Sequence, residues 1–327
     1  MFTTTARRKR ARTVLALLGA ALLGMGTPVA TAQSSGITEV SYFGSNPGNL
    51  RMHQYVPAGL PDNRPVVVAM HGCSQNGPDY GTNSGWVETA DQHDFALVLP
   101  GQRSSNNYNG CFNWFSSADT TRGWGEVASV RSMVGHILST TNADPSRVYV
   151  TGLSAGGAMT AAMLATYPDT FAAGGIVAGI PYRCATTTYE AYGCMNPGED
   201  RTPSEWGDLV RSATTHTGPW PTVSVWHGDA DYTVAVANQR ELVEQWTNVH
   251  GTDATADSTG TVAGYPHATY TDQSGRAVVE TVTVTGMGHG QPIDPGTGPQ
   301  QCGHTASYQL DVDVCAAAHL SGSWGLS

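Results

Sequence analysis

A serine set between two glycines, in the run Gly152-Leu153-Ser154-Ala155-Gly156, is the residue of this chain best placed to act as a nucleophile. A serine hydroxyl attacks a carbonyl efficiently when a base takes its proton, an acid orients that base, and N–H donors hold the oxyanion that forms. The chain offers all three. His289, among the glycines of Gly286-Met287-Gly288-His289-Gly290, is the candidate base, and Asp229 and Asp231 in the run from His227 to Asp231 are candidate acids. Asp231 is the better placed of the two, because Asp229 lies close enough to the turn to bond its local backbone. The amides of Ala155, after the serine, and of Cys73, in His71-Gly72-Cys73, are candidate oxyanion donors. His71 and His227 read as structural hydrogen bonders beside these loops. A calcium site on Asp229 and Asp231 lacks further oxygen ligands at loop spacing, so neither metal nor cofactor is expected.

The glycine spacing alone is weak in a chain with 39 glycines, where a helix-capping serine gives the same pattern. Its surroundings carry more. Arg147–Val150 reads as a strand and the alanine-rich stretch from Gly156 to Thr166 as a helix, so Ser154 sits on a tight strand-to-helix elbow. Further strands are expected at 53–56, 66–70, 95–99, 174–178, 222–226 and 278–284, with helices at 126–140 and 236–250. The stretch 251–264 reads as an exposed loop. Strands alternating with helices predict an α/β fold with a mainly parallel central sheet covered by helices on both faces. In such sheets ligands bind beyond the carboxyl ends of the strands, where Cys73, Ser154, Asp231 and His289 all fall. The order serine, acid, histidine is the α/β-hydrolase order.

Residues 1–32 read as a cleaved export signal, with a basic head (Arg7, Arg8, Lys9, Arg10, Arg12), an apolar run and the small-residue site Ala30-Thr31-Ala32. Removing those five cations, and no acidic residue, takes the formal charge from −10 to −15. Nucleic acid is therefore not an expected partner, nor is a membrane once the signal is gone. Residues 33–327 read as one catalytic domain, extracellular and monomeric. The six cysteines all lie in that part, and an oxidising compartment argues for three disulfides. Short loops suggest Cys184 with Cys194 and Cys302 with Cys315, leaving Cys73 for Cys111. The segment 183–202 is read either as a small cap or as a surface insertion without function.

Seven segments together resemble the secreted polyhydroxybutyrate depolymerase-like esterases, relatives of feruloyl and acetylxylan esterases. They are HGCSQN (71–76), TNSGW (82–86), GCFNWF (110–115), GLSAGGAMT (152–160), GIPYRCA (179–185), HGDADYTV (227–234) and GMGHG (286–290). The resemblance spans about Val40 to Trp324. It implies an α/β-hydrolase with Ser154 as nucleophile, Asp231 as acid, His289 as base and Cys73 beside the oxyanion hole. It also implies a serine carboxylic ester hydrolase acting on short-chain polyhydroxyalkanoate or its oligomers. A feruloyl or acetylxylan esterase is the alternative, and a mycolyltransferase-type acyltransferase a third reading. Depolymerases of this kind often carry a linker and a separate polymer-binding domain, which residues 33–327 are not expected to contain. Trp86, Trp114 and Tyr182 are expected against the substrate. Phe112 and Phe115 are further groove candidates, and Trp226, inside a strand, reads as core.

Overall fold

The computed structural model describes residues 1–3 and 36–326; the export signal expected over 1–32 lies, after Thr3, outside the described residues. Strands β1 (Thr38–Val40) and β2 (Arg51–Tyr55) precede β3 (Val66–Met70), whose run Val-Val-Val-Ala-Met is buried throughout. An apolar run with no polar alternation suits a strand covered on both faces. Helices α1 (Gly77–Asn83) and α2 (Trp86–His93) lead to β4 (Ala96–Gly101), and α3 (Gly125–Thr141) to β5 (Val148–Leu153). Then come α4 (Ala155–Thr166), β6 (Ala173–Val177), α5 (Thr188–Met195), α6 (Pro203–Arg211), β7 (Thr222–Gly228) and α7 (Ala237–His250). Strands β8 (Ser258–Val262), β9 (Tyr265–Thr271) and β10 (Ala277–Val284) precede a small pair, β11 (Gln291–Ile293) and β12 (Gln309–Asp311), and helix α8 (Ala316–Ser323).

Ten strands make one sheet in the order β1-β2-β4-β3-β5-β6-β7-β10-β9-β8. From β4 to β10 neighbouring strands run parallel, and antiparallel strands extend the sheet at both ends. Successive side chains point to opposite faces, so β3 feeds two cores. Val66, Val68 and Met70 pack with Val130 of α3, Met159 of α4 and Trp246 of α7. Val67 and Ala69 pack with Tyr80, Trp86 and Leu320 from α1, α2 and α8. This is the expected α/β arrangement, and every expected strand is present within a few residues of its expected bounds.

One expectation fails. Within the stretch read as a loop, β8 forms an antiparallel hairpin with β9. Its turn is Ala263-Gly264, both at positive φ (48° and 88°), as a two-residue turn matched to strand twist requires. The strand escaped notice because Ser258-Thr259-Gly260-Thr261 is exposed on both faces and has no hydrophobic alternation. The disulfides are Cys73–Cys111, Cys184–Cys194 and Cys302–Cys315, as the loop lengths suggested.

Candidate active site

The elbow after β5 is held by close backbone approach. A Cβ on Gly152 would lie 2.5 Å from the Gly156 carbonyl carbon, and one on Gly156 would collide with the Met70 carbonyl of β3. Only glycine lets α4 seat so tightly on the sheet. Between them Ser154 has φ 57° and ψ −117°, a strained conformation for a residue with a Cβ. Its amide donates to the Val177 carbonyl at 2.9 Å, which fixes the turn against β6.

Ser154 Oγ lies 2.9 Å from His289 Nε2, and His289 Nδ1 lies 2.7 Å from Asp231 Oδ2. Three strand ends therefore bring the three sequence candidates into one hydrogen-bonded chain. The other Asp231 oxygen accepts from the amides of Thr233 (2.8 Å) and Val234 (2.9 Å). Burial pushes the Asp231 pKa upward, but hydrogen bonding from His227 and His289, the His289 charge and the Val234 amide outweigh it. The carboxyl is held well below the usual range. His227, fully buried, donates from Nε2 to the Val234 carbonyl at 2.8 Å, the structural role expected of it. Asp229 bonds backbone, as expected, but not locally: it accepts the Gly286 amide at 2.6 Å. With Ala230 N donating to Met287 O at 3.1 Å, this stitches the acid loop to the loop that carries His289.

The loop that carries the Cys73 candidate comes close to the elbow, where a Cβ on Gly72 would sit 3.5 Å from Ser154 Cβ. The Ala155 amide is the first of α4, at the positive end of the helix dipole. The Cys73 amide belongs to a loop fixed on every side. Cys73 is bonded to Cys111, Ser74 N donates to Asn109 O at 2.9 Å, and Gly72 N donates to Gln75 Oε1 at 2.9 Å. His71 is buried beneath it, its Nδ1 bonded to the Gly72 carbonyl at 2.7 Å and its Nε2 accepting from Gln102 N at 3.1 Å. Burial pushes its pKa down to about 4, so it is a neutral strut.

Glu126, at the start of α3, is a residue that sequence reading missed. Its carboxyl accepts from Gln102 Nε2 (2.6 Å), Asn113 N (2.8 Å) and Asn113 Nδ2 (2.9 Å). Burial pushes its pKa up to about 8, against these hydrogen bonds. Through Gln102 it reaches the His71 strut, and through Asn113 the chain beyond Cys111. Nothing in the local sequence marks it, because its partners lie 13 and 24 residues away.

Ser154 and His289 open on a cavity of about 320 Å³. Trp114, Phe115, Leu153, Ala191 and Met195 give it an apolar lining; Gln75, Asn107 and Asn109 add neutral hydrogen-bonding groups. No Asp, Glu, Lys or Arg lines it among the described residues. Of the three aromatics expected on substrate, Trp114 is there. Trp86 and Tyr182 are not. Trp86 is fully buried on the first turn of α2, stacked on Trp324 at 5.8 Å. Tyr182 is buried between Gln245, which its amide reaches at 2.8 Å, and the Thr120 carbonyl, which its hydroxyl reaches at 3.1 Å. Phe115 lines the cavity, whereas Phe112 packs on His71 and Trp226 lies in the core. The segment 183–202 proves to be a cap: Thr188, Ala191, Tyr192 and Met195 of α5 line the cavity.

Comparison with known proteins bears on the family and the fold. Residues 50–264 match the family model for esterase PHB depolymerase. The chain is 50% identical to poly(3-hydroxyalkanoate) depolymerase C of Paucimonas lemoignei, over 97% of this chain and 78% of that one. It is 34% identical to feruloyl esterase B of Talaromyces funiculosus, over 82% of this chain and 76% of that one. Among solved structures, the acetyl xylan esterase from Aspergillus awamori superposes with a TM-score of 0.71 at 30% identity, covering 78% of this chain and 94% of that one.

Proposed function

Because this chain belongs to the esterase PHB depolymerase family, whose members are carboxylic ester hydrolases, we propose that it cleaves short-chain polyhydroxyalkanoate, or oligomers of it, through an acyl-enzyme on Ser154. The observation that carries the reading is the unbroken Ser154–His289–Asp231 hydrogen-bonded chain opening on an uncharged cavity. Ser154 Oγ attacks the ester carbonyl as His289 Nε2 takes its proton. Asp231 holds the imidazole from Nδ1 and stabilises the imidazolium. The oxyanion is met by the Cys73 and Ala155 amides, the proton passes to the departing alcohol oxygen, and Ser154 is left acylated. Water then attacks the acyl carbon, giving its proton to His289, and the acid leaves as Ser154 regains that proton.

A neutral cavity with an apolar lining suits an ester whose acyl and alkyl parts are both uncharged. The substrate choice draws on the 50% identity to the depolymerase, against 34% to the feruloyl esterase. We further propose that residues 33–327 act outside the cell as one monomeric catalytic domain, a reading supported by the three disulfides and the basic-then-apolar start. The test is a side-by-side rate on amorphous polyhydroxybutyrate suspension, a feruloyl ester and acetylated xylan, with Ser154→Ala as control. Clearing of the polymer with release of hydroxybutyrate oligomers is expected. Ferulate or acetate release without clearing would overturn the substrate and make this a plant-wall esterase.

A further inference from the structure

We infer that the tyrosines around the cavity mouth form an adhesion surface for solid polyester, an inference that rests on the substrate reading above. Five tyrosines gather there, Tyr108, Tyr189, Tyr192, Tyr232 and Tyr308, between 48% and 94% exposed. Of the other described aromatic side chains only Phe2, Tyr42 and Trp124 are comparably exposed. Tyr192 and Tyr308 line the cavity; Tyr108 sits between the lining residues Asn107 and Asn109, Tyr189 follows Thr188, and Tyr232 precedes Thr233. Four separate segments thus deliver one side-chain type to one place: the loop after β4, the cap helix, the acid loop and the turn before β12. The Tyr232 carbonyl also accepts from Asn196 Nδ2 at 2.9 Å, which ties the acid loop to the cap.

The phenols at the mouth differ from those inside the protein. Tyr55, Tyr80, Tyr182 and Tyr265 each give their hydroxyl to a protein acceptor, Asp91, Gln291, Thr120 O and Val312 O respectively. The five at the mouth have no such partner among the described residues, so each offers a bare donor beside an apolar ring. A polyester surface presents methyl and methylene groups with ester carbonyl acceptors, and neither donors nor charge. A phenol complements both features at once. Charged groups would instead lose hydration against such a surface without repayment, and the rim carries few of them. Segments 104–110 and 232–236 contain no charged residue. Glu190, between Tyr189 and Tyr192, is folded back, its Oε2 accepting from Thr186 N (2.7 Å), Thr186 Oγ1 (2.8 Å) and Thr187 N (3.2 Å). The Cys184–Cys194 bond closes the cap beneath these tyrosines, which lowers the ordering cost of contact with a solid.

Tyr108, Tyr189 and Tyr232 stand outside the cavity, so adhesion and turnover are separable. The experiment compares the parent with the Tyr108→Ser/Tyr189→Ser/Tyr232→Ser variant. Partition onto amorphous polyhydroxybutyrate is measured with Ser154→Ala in both, and hydrolysis of a soluble hydroxybutyrate trimer with Ser154 intact. Adsorption is expected to weaken at least tenfold while trimer hydrolysis stays within twofold, which also reports that the variant folds. A triple Tyr→Phe variant is expected to lose only part of the adsorption, by removing the donors and keeping the rings. Unchanged adsorption of the serine variant, with trimer hydrolysed normally, would overturn the rim and leave the substrate reading standing. Trimer hydrolysis falling in step with adsorption would overturn it too, by placing these residues in the cavity's own work. A parent that hydrolyses neither trimer nor polymer would remove the substrate reading, and the rim with it.

Discussion

Two segments line the cavity, each closed by a disulfide, and they differ in what else holds them. The oxyanion loop, residues 71–76, rests on a buried polar network in which His71, Gln102, Glu126 and Asn113 each satisfy another's donor or acceptor. The cap, residues 183–202, is fastened by one disulfide, by capping boxes at the starts of α5 and α6, and by bonds to the chain around α7, Asn238 Nδ2 to Cys194 O at 3.0 Å and Ala235 N to Met195 O at 2.8 Å, with Tyr189, Tyr192 and Glu190 outside. A polar network under the sheet edge tolerates little displacement, because a lost partner leaves a buried group unsatisfied. A surface cap tolerates exchange of the residues it shows to substrate. The loop proposed to hold the oxyanion is thus set in buried side-chain bonds, and the cap in a disulfide and backbone-directed bonds that leave its outer face free.

The difference can be broken at several points. The largest effect is expected from Ser154→Ala, which removes the group both segments serve. Ester hydrolysis should fall by about four to six orders of magnitude with the circular dichroism spectrum unchanged. Next comes Glu126→Gln, which places an amide N–H₂ among N–H donors. A drop in kcat of about 10- to 100-fold with KM nearly constant is expected, together with a lower Tm; a change in KM alone would contradict a role in holding the oxyanion loop.

The network also has a pH signature. The folded-state pKa values of His71 and His250 are both pushed down to about 4 by burial, whereas an unfolded histidine titrates near 6.5. Between those values the unfolded chain binds more protons at these two sites, so their contribution to stability is complete above about pH 6.5 and lost as pH drops toward 4; buried Glu126, its pKa raised to about 8, acts in the opposite direction and loses stability as pH rises. The loss is roughly 3 kcal/mol for His71. The stability difference between the parent and His71→Asn, taken from chemical denaturation at pH 7 and pH 4.5, should shrink by that amount at the lower pH. Smallest is the double replacement Cys184→Ser/Cys194→Ser. It should cost about 2 kcal/mol of stability, mainly through the unfolded chain, and shift KM severalfold with kcat nearly unchanged. A large loss of kcat would mean that the cap shapes the chemistry as well as the entrance.

Ser154, Asp231 and His289 were legible because each lies within five residues of a strand's carboxyl end, and strands announce themselves by local pattern. The parallel sheet followed from the alternation of strands and helices. What escaped depends on contacts distant in sequence. Trp86 and Trp114 each sit beside short polar loops, yet one is core and the other cavity, a choice made by the helix that turns Trp86 onto the sheet. Glu126 carries no mark at its own position, Asp229 finds its partner 57 residues on, and β8 has no buried face to betray it.

The three disulfides join the first cysteine to the second, the third to the fourth, and the fifth to the sixth. In a chain threaded N-terminus first into an oxidising space, each cysteine meets its partner as the next one to emerge, and no bond waits for a residue still behind the pore. Of fifteen possible pairings, the native one is the pairing that order of arrival alone would select. If residues 33–327 are exported as proposed, their covalent closure can proceed in step with delivery, with little for an isomerase to correct.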